Sequence, residues 1–148
     1  MIPSILLIQK EPQLLADRLQ ELLGQSVQIR ASTTGMAGMD AYQQYHPLIV
    51  LVDEDLPDFS GMSIATILKD IENAPRSLVY LLIRNELLEH TRADRYIAAV
   101  TPQNILVEQI RADFELLTHQ EASESYQNAV KMQNDMLPRA IETGLYPV

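Results

Sequence analysis

Leu48-Ile49-Val50-Leu51-Val52-Asp53-Glu54-Asp55-Leu56-Pro57-Asp58-Phe59-Ser60-Gly61 is the stretch on which the fold turns. Five apolar residues in a row end abruptly in an acidic, turn-rich segment. A strand reads as an unbroken apolar run when both its faces are covered, as in a parallel sheet flanked by helices. Beyond Gly61, Ile64, Ile67, Leu68 and Ile71 recur at helical spacing and predict a helix.

Working outward, the same alternation repeats. Ile5-Leu6-Leu7-Ile8 is a second buried run, closed by Gln9-Lys10-Glu11-Pro12. Leu15, Leu19, Leu22 and Leu23 then mark a helix that Pro12 can open and Gly24 can stop. Val27 to Ala31 alternates like a strand, and Met39, Tyr42 and Tyr45 lead a second helix towards His46-Pro47. Downstream, Leu78 to Ile83 reads as a strand, Asn85 to Arg95 as a short helix and Tyr96 to Val100 as a fifth strand. Pro102 opens a last helix with Leu106, Ile110, Phe114 and Leu117 on one face. Five strand-helix alternations predict the α/β class: a doubly wound, five-stranded parallel sheet whose ligands lie at the carboxyl ends of the strands.

Composition narrows the function. The 148 residues suit one domain plus an appended element. A net charge of −9 argues against nucleic acid as a partner, because phosphate backbones are bound by clustered Lys and Arg. No apolar run approaches the roughly 20 residues of a membrane span, and residues 5–8 lack the flanks of a signal peptide, so a cytoplasmic protein with no membrane partner is expected. Cysteine is absent, which removes disulfides and thiolate metal sites. His46, His90 and His119 lie far apart and in no metal-ligand spacing, so they read as surface or satisfied histidines.

Across about residues 3–118 the chain resembles the receiver domains of two-component response regulators. Asp53 follows an apolar strand, with Pro57 four and Gly61 eight positions later, as around that family's phosphoacceptor. Glu11-Pro12 opening the first helix and Ala31-Ser32-Thr33-Thr34-Gly35 after the second strand add to the match. The resemblance implies a flavodoxin-like receiver fold and phosphoryl transfer to Asp53. That chemistry needs a divalent cation held by two carboxylates after the first strand, and here those positions are Gln9 and Lys10. The hydroxyl residue that ends the fourth strand is replaced by Leu82 or Ile83, neither of which can donate a hydrogen bond. The Lys before the following Pro is replaced by Thr101, or by Ala99 in a gap-free alignment.

Four of five chemical positions are therefore altered and Asp53 remains, which reads as a pseudo-receiver. Gln9, Lys10, Glu11 and Asp55 form a degenerate acidic pocket, with no catalytic residue, no cofactor and doubtful Mg²⁺ binding. Two readings of Lys10 stand side by side: a fixed counterion for Asp53, with Asp55 or Asp58 nearby, or a solvated lysine.

Residues 119–148 form a helical linker or tail after a receiver-like domain of residues 1–118. The thin apolar stripe Ala122, Tyr126, Ala129, Val130, Met136 and Leu137 suits a two-helix contact. Ala129 to Pro138 resembles the lead-in to metal-dependent Ser/Thr phosphatases of the sporulation stage II E type, although a generic amphipathic helix explains the same letters. The expected function is a non-enzymatic, phosphorylation-independent signalling and protein-interaction module that regulates an output domain such as a Ser/Thr phosphatase. Its partners would be a histidine kinase or that output domain, with a homodimer through the C-terminal helix. The alternatives are a receiver that accepts a phosphoryl group on Asp53 from a histidine kinase, and a standalone adaptor.

Overall fold

The two unbroken apolar runs are the middle of the sheet. In the computed structural model, which describes residues 2–70, 77–84 and 93–136 with side chains as far as residue 119, strands β1 (Ser4–Ile8) and β3 (Ile49–Asp53) are buried at every position. Strands β2 (Gln28–Ser32), β4 (Leu78–Ile83) and β5 (Arg95–Ala98) complete a parallel sheet in the order β2-β1-β3-β4-β5. This is the doubly wound, flavodoxin-like order, with the topological switch between β1 and β3.

Successive side chains of a strand point to opposite faces, and each face has its own helices. On one, Leu6, Ile8, Val50, Val52, Val79 and Leu81 form a core with Tyr42 of α2 (Gly35–Tyr45) and with Ile64, Ala65 and Leu68 of α3 (Gly61–Asp70). The other register set, Ile5, Leu7, Ile49, Leu51 and Tyr80, is equally buried, as are Leu15 and Leu19 of α1 (Gln13–Leu23) and Leu106 and Ile110 of α4 (Gln103–Met136). The Tyr80 hydroxyl donates to the carbonyl of Gln109, tying β4 to α4. Gly24 ends α1 with φ at 65°, a left-handed conformation that a side chain would strain. His46 ends α2 the same way, its N–H donating to the Tyr42 carbonyl before Pro47 forbids a further turn.

The last strand differs from expectation. β5 covers Arg95–Ala98, not Tyr96 to Val100, because its ladder with β4 finishes at the Ile83–Ala98 pair and Ala99 and Val100 already turn. Most of the short helix expected over Asn85 to Arg95 lies outside the described residues; of its end, Ala93 and Asp94 are not helical and Arg95 is in β5. Helix α4 passes residue 118 without interruption, and the boundary between two compact units, residues 1–112 and 113–148, falls inside it. No helix among the described residues is long and apolar enough to cross a membrane.

The loop between β3 and α3 folds tightly back on the strand. The N–H of Gly61 donates to the Glu54 carbonyl at 3.0 Å, and a Cβ placed on Gly61 would stand 2.0 Å from the Asp53 carbonyl oxygen. No L side chain fits there without moving backbone. Gly61→Ala should cost about 3 kcal/mol, towards the upper end of ordinary single-site effects, and urea unfolding of the two proteins measures it.

Candidate functional site

Asp53 is the last residue of β3, lies beside Leu82 in the β3–β4 ladder and is only 4% exposed. A carboxylate so placed must be met by donors, because burying an unpaired charge is costly. Three donors meet it. The N–H of Asp55 reaches Oδ1 at 3.0 Å, Arg84 Nε reaches the same oxygen at 3.0 Å, and Arg84 Nη2 reaches Oδ2 at 2.7 Å. The arginine thus grips both oxygens in the fork geometry that suits a carboxylate.

Arg84 is itself fixed from behind. It follows β4 directly, its backbone N–H donates to Glu54 Oε2 at 2.7 Å, and the Glu54 N–H donates to the Leu82 carbonyl at 3.0 Å. Hydrogen bonds to Asp53, then the charge of Asp53, and further the charges of Asp55 and Glu54, raise the arginine's pKa above its already high value. It stays a cation wherever the fold survives. Half of its side-chain surface is exposed, against 5% for Asp53, so the pair is buried on one side and open on the other.

Lys10 does not counter Asp53. Its ammonium lies 3.1 Å from Asp55 Oδ2, and both side chains are about half exposed, 50% and 52%. An exposed pair of this kind contributes little to stability. The counterion for Asp53 comes instead from Arg84, just after β4. Asp58 is equally remote from that role: its Oδ1 accepts from the N–H groups of Gly35 at 2.7 Å and Phe59 at 3.0 Å, and its Oδ2 from Met36 at 2.9 Å. It caps α2 from another loop, beside the local cap in which Thr34 Oγ1 accepts from the Ala37 N–H.

Gln9, Glu11, Asp53, Leu82 and Thr101 line one cavity of about 440 Å³ at the carboxyl ends of the strands, together with Ala99 and Arg84. Lys10, Asp55 and Ile83 do not line it. The Gln9 amide oxygen is buried with no hydrogen-bond partner among the described residues, and Leu82 offers the cavity only hydrocarbon. Arg84 was the residue the letters did not single out. Its only signal is that it is the first charge after the apolar run of β4, at the same end of the sheet as Asp53.

No family model matches the chain, and no curated protein matches it. Solved structures do, and those it is similar to are CheY-like response-regulator receiver domains. The signal receiver domain of a Luxo repressor protein from Vibrio parahaemolyticus matches with a TM-score of 0.67 at 15% identity, over 84% of this chain and 98% of that one. A CheY-like receiver domain protein from Methanospirillum hungatei gives 0.67 at 18% identity, over 81% and 99%. The Mn²⁺-bound form of the response regulator Rcp1 gives 0.58 at 20% identity, over 74% and 90%. At these identities the likeness establishes the fold.

The divalent cation that receiver chemistry implies does not fit the residues present. Hard cations ask for several oxygen ligands. Here both oxygens of Asp53 are engaged by Arg84, Gln9 offers at most a neutral oxygen, and Lys10 brings a positive charge to the rim. Among the described residues no group of three or more His, Cys, Asp or Glu side chains is placed to hold a metal.

The Asp58 cap generates a pH dependence. Its pKa is lowered from the ordinary 3.8, chiefly by the Met36 N–H, with Gly35 and Phe59 adding and desolvation opposing. A depressed carboxylate pKa contributes stability above the unfolded value, and that contribution fades as pH falls through the folded value. Asp58→Ala should therefore melt below the parent at neutral pH, with the gap closing in acid below pH 3.8. Thermal unfolding at a series of pH values checks both the gap and its closure.

Proposed function

We propose that this chain is a receiver-type signalling module that acts through protein contacts and not through phosphoryl transfer. One observation carries the reading: Asp53, the sole chemical position retained, has both carboxylate oxygens held by Arg84. A phosphoacceptor must present a free oxygen in line with the donor phosphorus, beside a metal and donors that take up the charge on the transferred group. The Arg84 fork covers the attacking oxygens, Gln9 and Lys10 stand in the metal-binding positions, and Leu82 or Ile83 replaces the hydroxyl.

The partner in this reading is a signalling protein, a histidine kinase or an output domain such as a Ser/Thr phosphatase. Helix α4 supports it: 34 residues without a break form a rod of roughly 50 Å, a suitable connection to a further domain. Nucleic acid is a poor partner for a chain of net charge −9. The retained Asp53 favours one second reading, a receiver still phosphorylated by a histidine kinase.

Incubation with acetyl phosphate and Mg²⁺ should add no phosphate to the intact protein by mass spectrometry. A phosphate adduct that disappears in Asp53→Asn overturns the proposal in favour of the second reading. The apolar positions Tyr126 and Val130 in the tail sequence give a separate expectation, a homodimer through α4. Light scattering should find the parent dimeric at micromolar concentration and Val130→Glu monomeric with unchanged helix content. A monomeric parent, or an equally dimeric variant, removes the helix as the contact.

A further inference from the structure

We propose that Arg84 is the resident cation of this site, a tethered replacement for the free divalent ion that phosphoaccepting receivers recruit. The inference rests on the reading above that the site performs no phosphoryl transfer, and adds what neutralises the site in its place. Asp53, Glu54 and Asp55 are three consecutive carboxylates at one end of the sheet, which repel one another unless countered. Each has its own donor from another element. Asp53 takes the Arg84 side chain, Glu54 takes the Arg84 N–H, and Asp55 takes Lys10.

A divalent ion settles such a triplet by drawing oxygens onto one centre. This chain settles it with two monovalent cations and a backbone amide, all covalently attached. Arginine suits the central place better than lysine, because its planar fork meets two oxygens at once and it keeps its proton even when partly buried. Lys10, half exposed on Asp55, guards only the rim. A tethered cation also has a fixed local concentration, so its occupancy does not follow the level of Mg²⁺ in solution. The neutralisation therefore converges on one residue: remove the Arg84 guanidinium, and the buried Asp53 carboxylate is left in the same cavity as the buried Gln9 amide oxygen, two oxygen ligands to which a hydrated hard cation can bind.

The test compares the full chain with Arg84→Ala and Arg84→Gln, by thermal melting and isothermal titration in Mn²⁺, Mg²⁺ or EDTA. The parent should melt at the same temperature in all three and give no saturable heat with either ion. Both variants should melt below the parent in EDTA, rise with added Mn²⁺ and give a saturable binding isotherm; Asp53→Asn combined with Arg84→Ala should lose the response. Should a variant lack a cooperative transition in EDTA, its recovery in Mn²⁺ is the expected result. Saturable binding by the parent, or variants that neither bind nor recover in Mn²⁺, overturns the proposal. Its failure is separable from that of the functional reading: a phosphate adduct on Asp53 of the parent sinks the latter, whereas absent cation binding in the variants with no adduct sinks only the resident cation.

Discussion

Asp53 and Arg84 impose the constraint around which this end of the molecule is arranged. The carboxylate is set at the end of a central strand, where neighbouring strands and helices strip away its water, and a buried charge holds only if donors are in place beforehand. The ladder supplies the placement. Because Asp53 stands opposite Leu82, the residue two further along, Arg84, leaves β4 within reach of both carboxylate oxygens. Glu54 holds the arginine's backbone, and Gly61 lets the loop turn back against β3 without a clash. Asp58, on the same loop, reaches across to cap α2. One loop thus fixes the ion pair, the start of α3 and the start of α2 together.

How much of this the letters disclosed depended on burial. β1 and β3 were plain because strands covered on both faces admit only apolar residues, so their sequence has no other reading. β5 was misjudged at its ends because an edge strand is half exposed and weakly patterned, and its limit is set by where β4 stops pairing. The expectation that Gln9 and Lys10 stand where the resemblance places two metal-binding carboxylates needed only the identity of two residues. The partner of Lys10 was not legible in the same way. Asp53 and Asp55 are two apart, yet one closes a buried strand and the other lies beyond the turn, so a flexible lysine meets the exposed one. Arg84 was hidden for a related reason: an isolated arginine after a strand looks like a solvated residue until the register brings it within reach of a buried acid.

The similarity to receiver domains and the content of the site answer different questions. A sheet of order β2-β1-β3-β4-β5 with helices on both faces is a scaffold that offers a crevice at its carboxyl edge. What that crevice does is decided by the side chains in it. In this chain the crevice is a cavity of about 440 Å³ whose lining mixes the carboxylates Glu11 and Asp53 with Gln9, Leu82 and Arg84. The fold is retained at identities of 15–20%, which packing alone can sustain.

Under the proposed function the module takes an input other than a bound metal or a transferred phosphate, and the structure limits where one can enter. Asp53 lines the cavity but is only 4% exposed and has both oxygens on Arg84, so what a partner meets there is the open half of Arg84 and the cavity mouth. Gln103 and Leu106, in the first turns of α4, line that same cavity. A partner that filled it would press on the start of a helix that continues unbroken to Met136. Every turn of an α-helix is hydrogen-bonded to the next, so the first turns of α4 belong to one continuous element. The cavity at the carboxyl edge and the first turns of α4 thus belong together: under the proposed function, contact at the cavity mouth is an input that needs no phosphoryl transfer to reach α4.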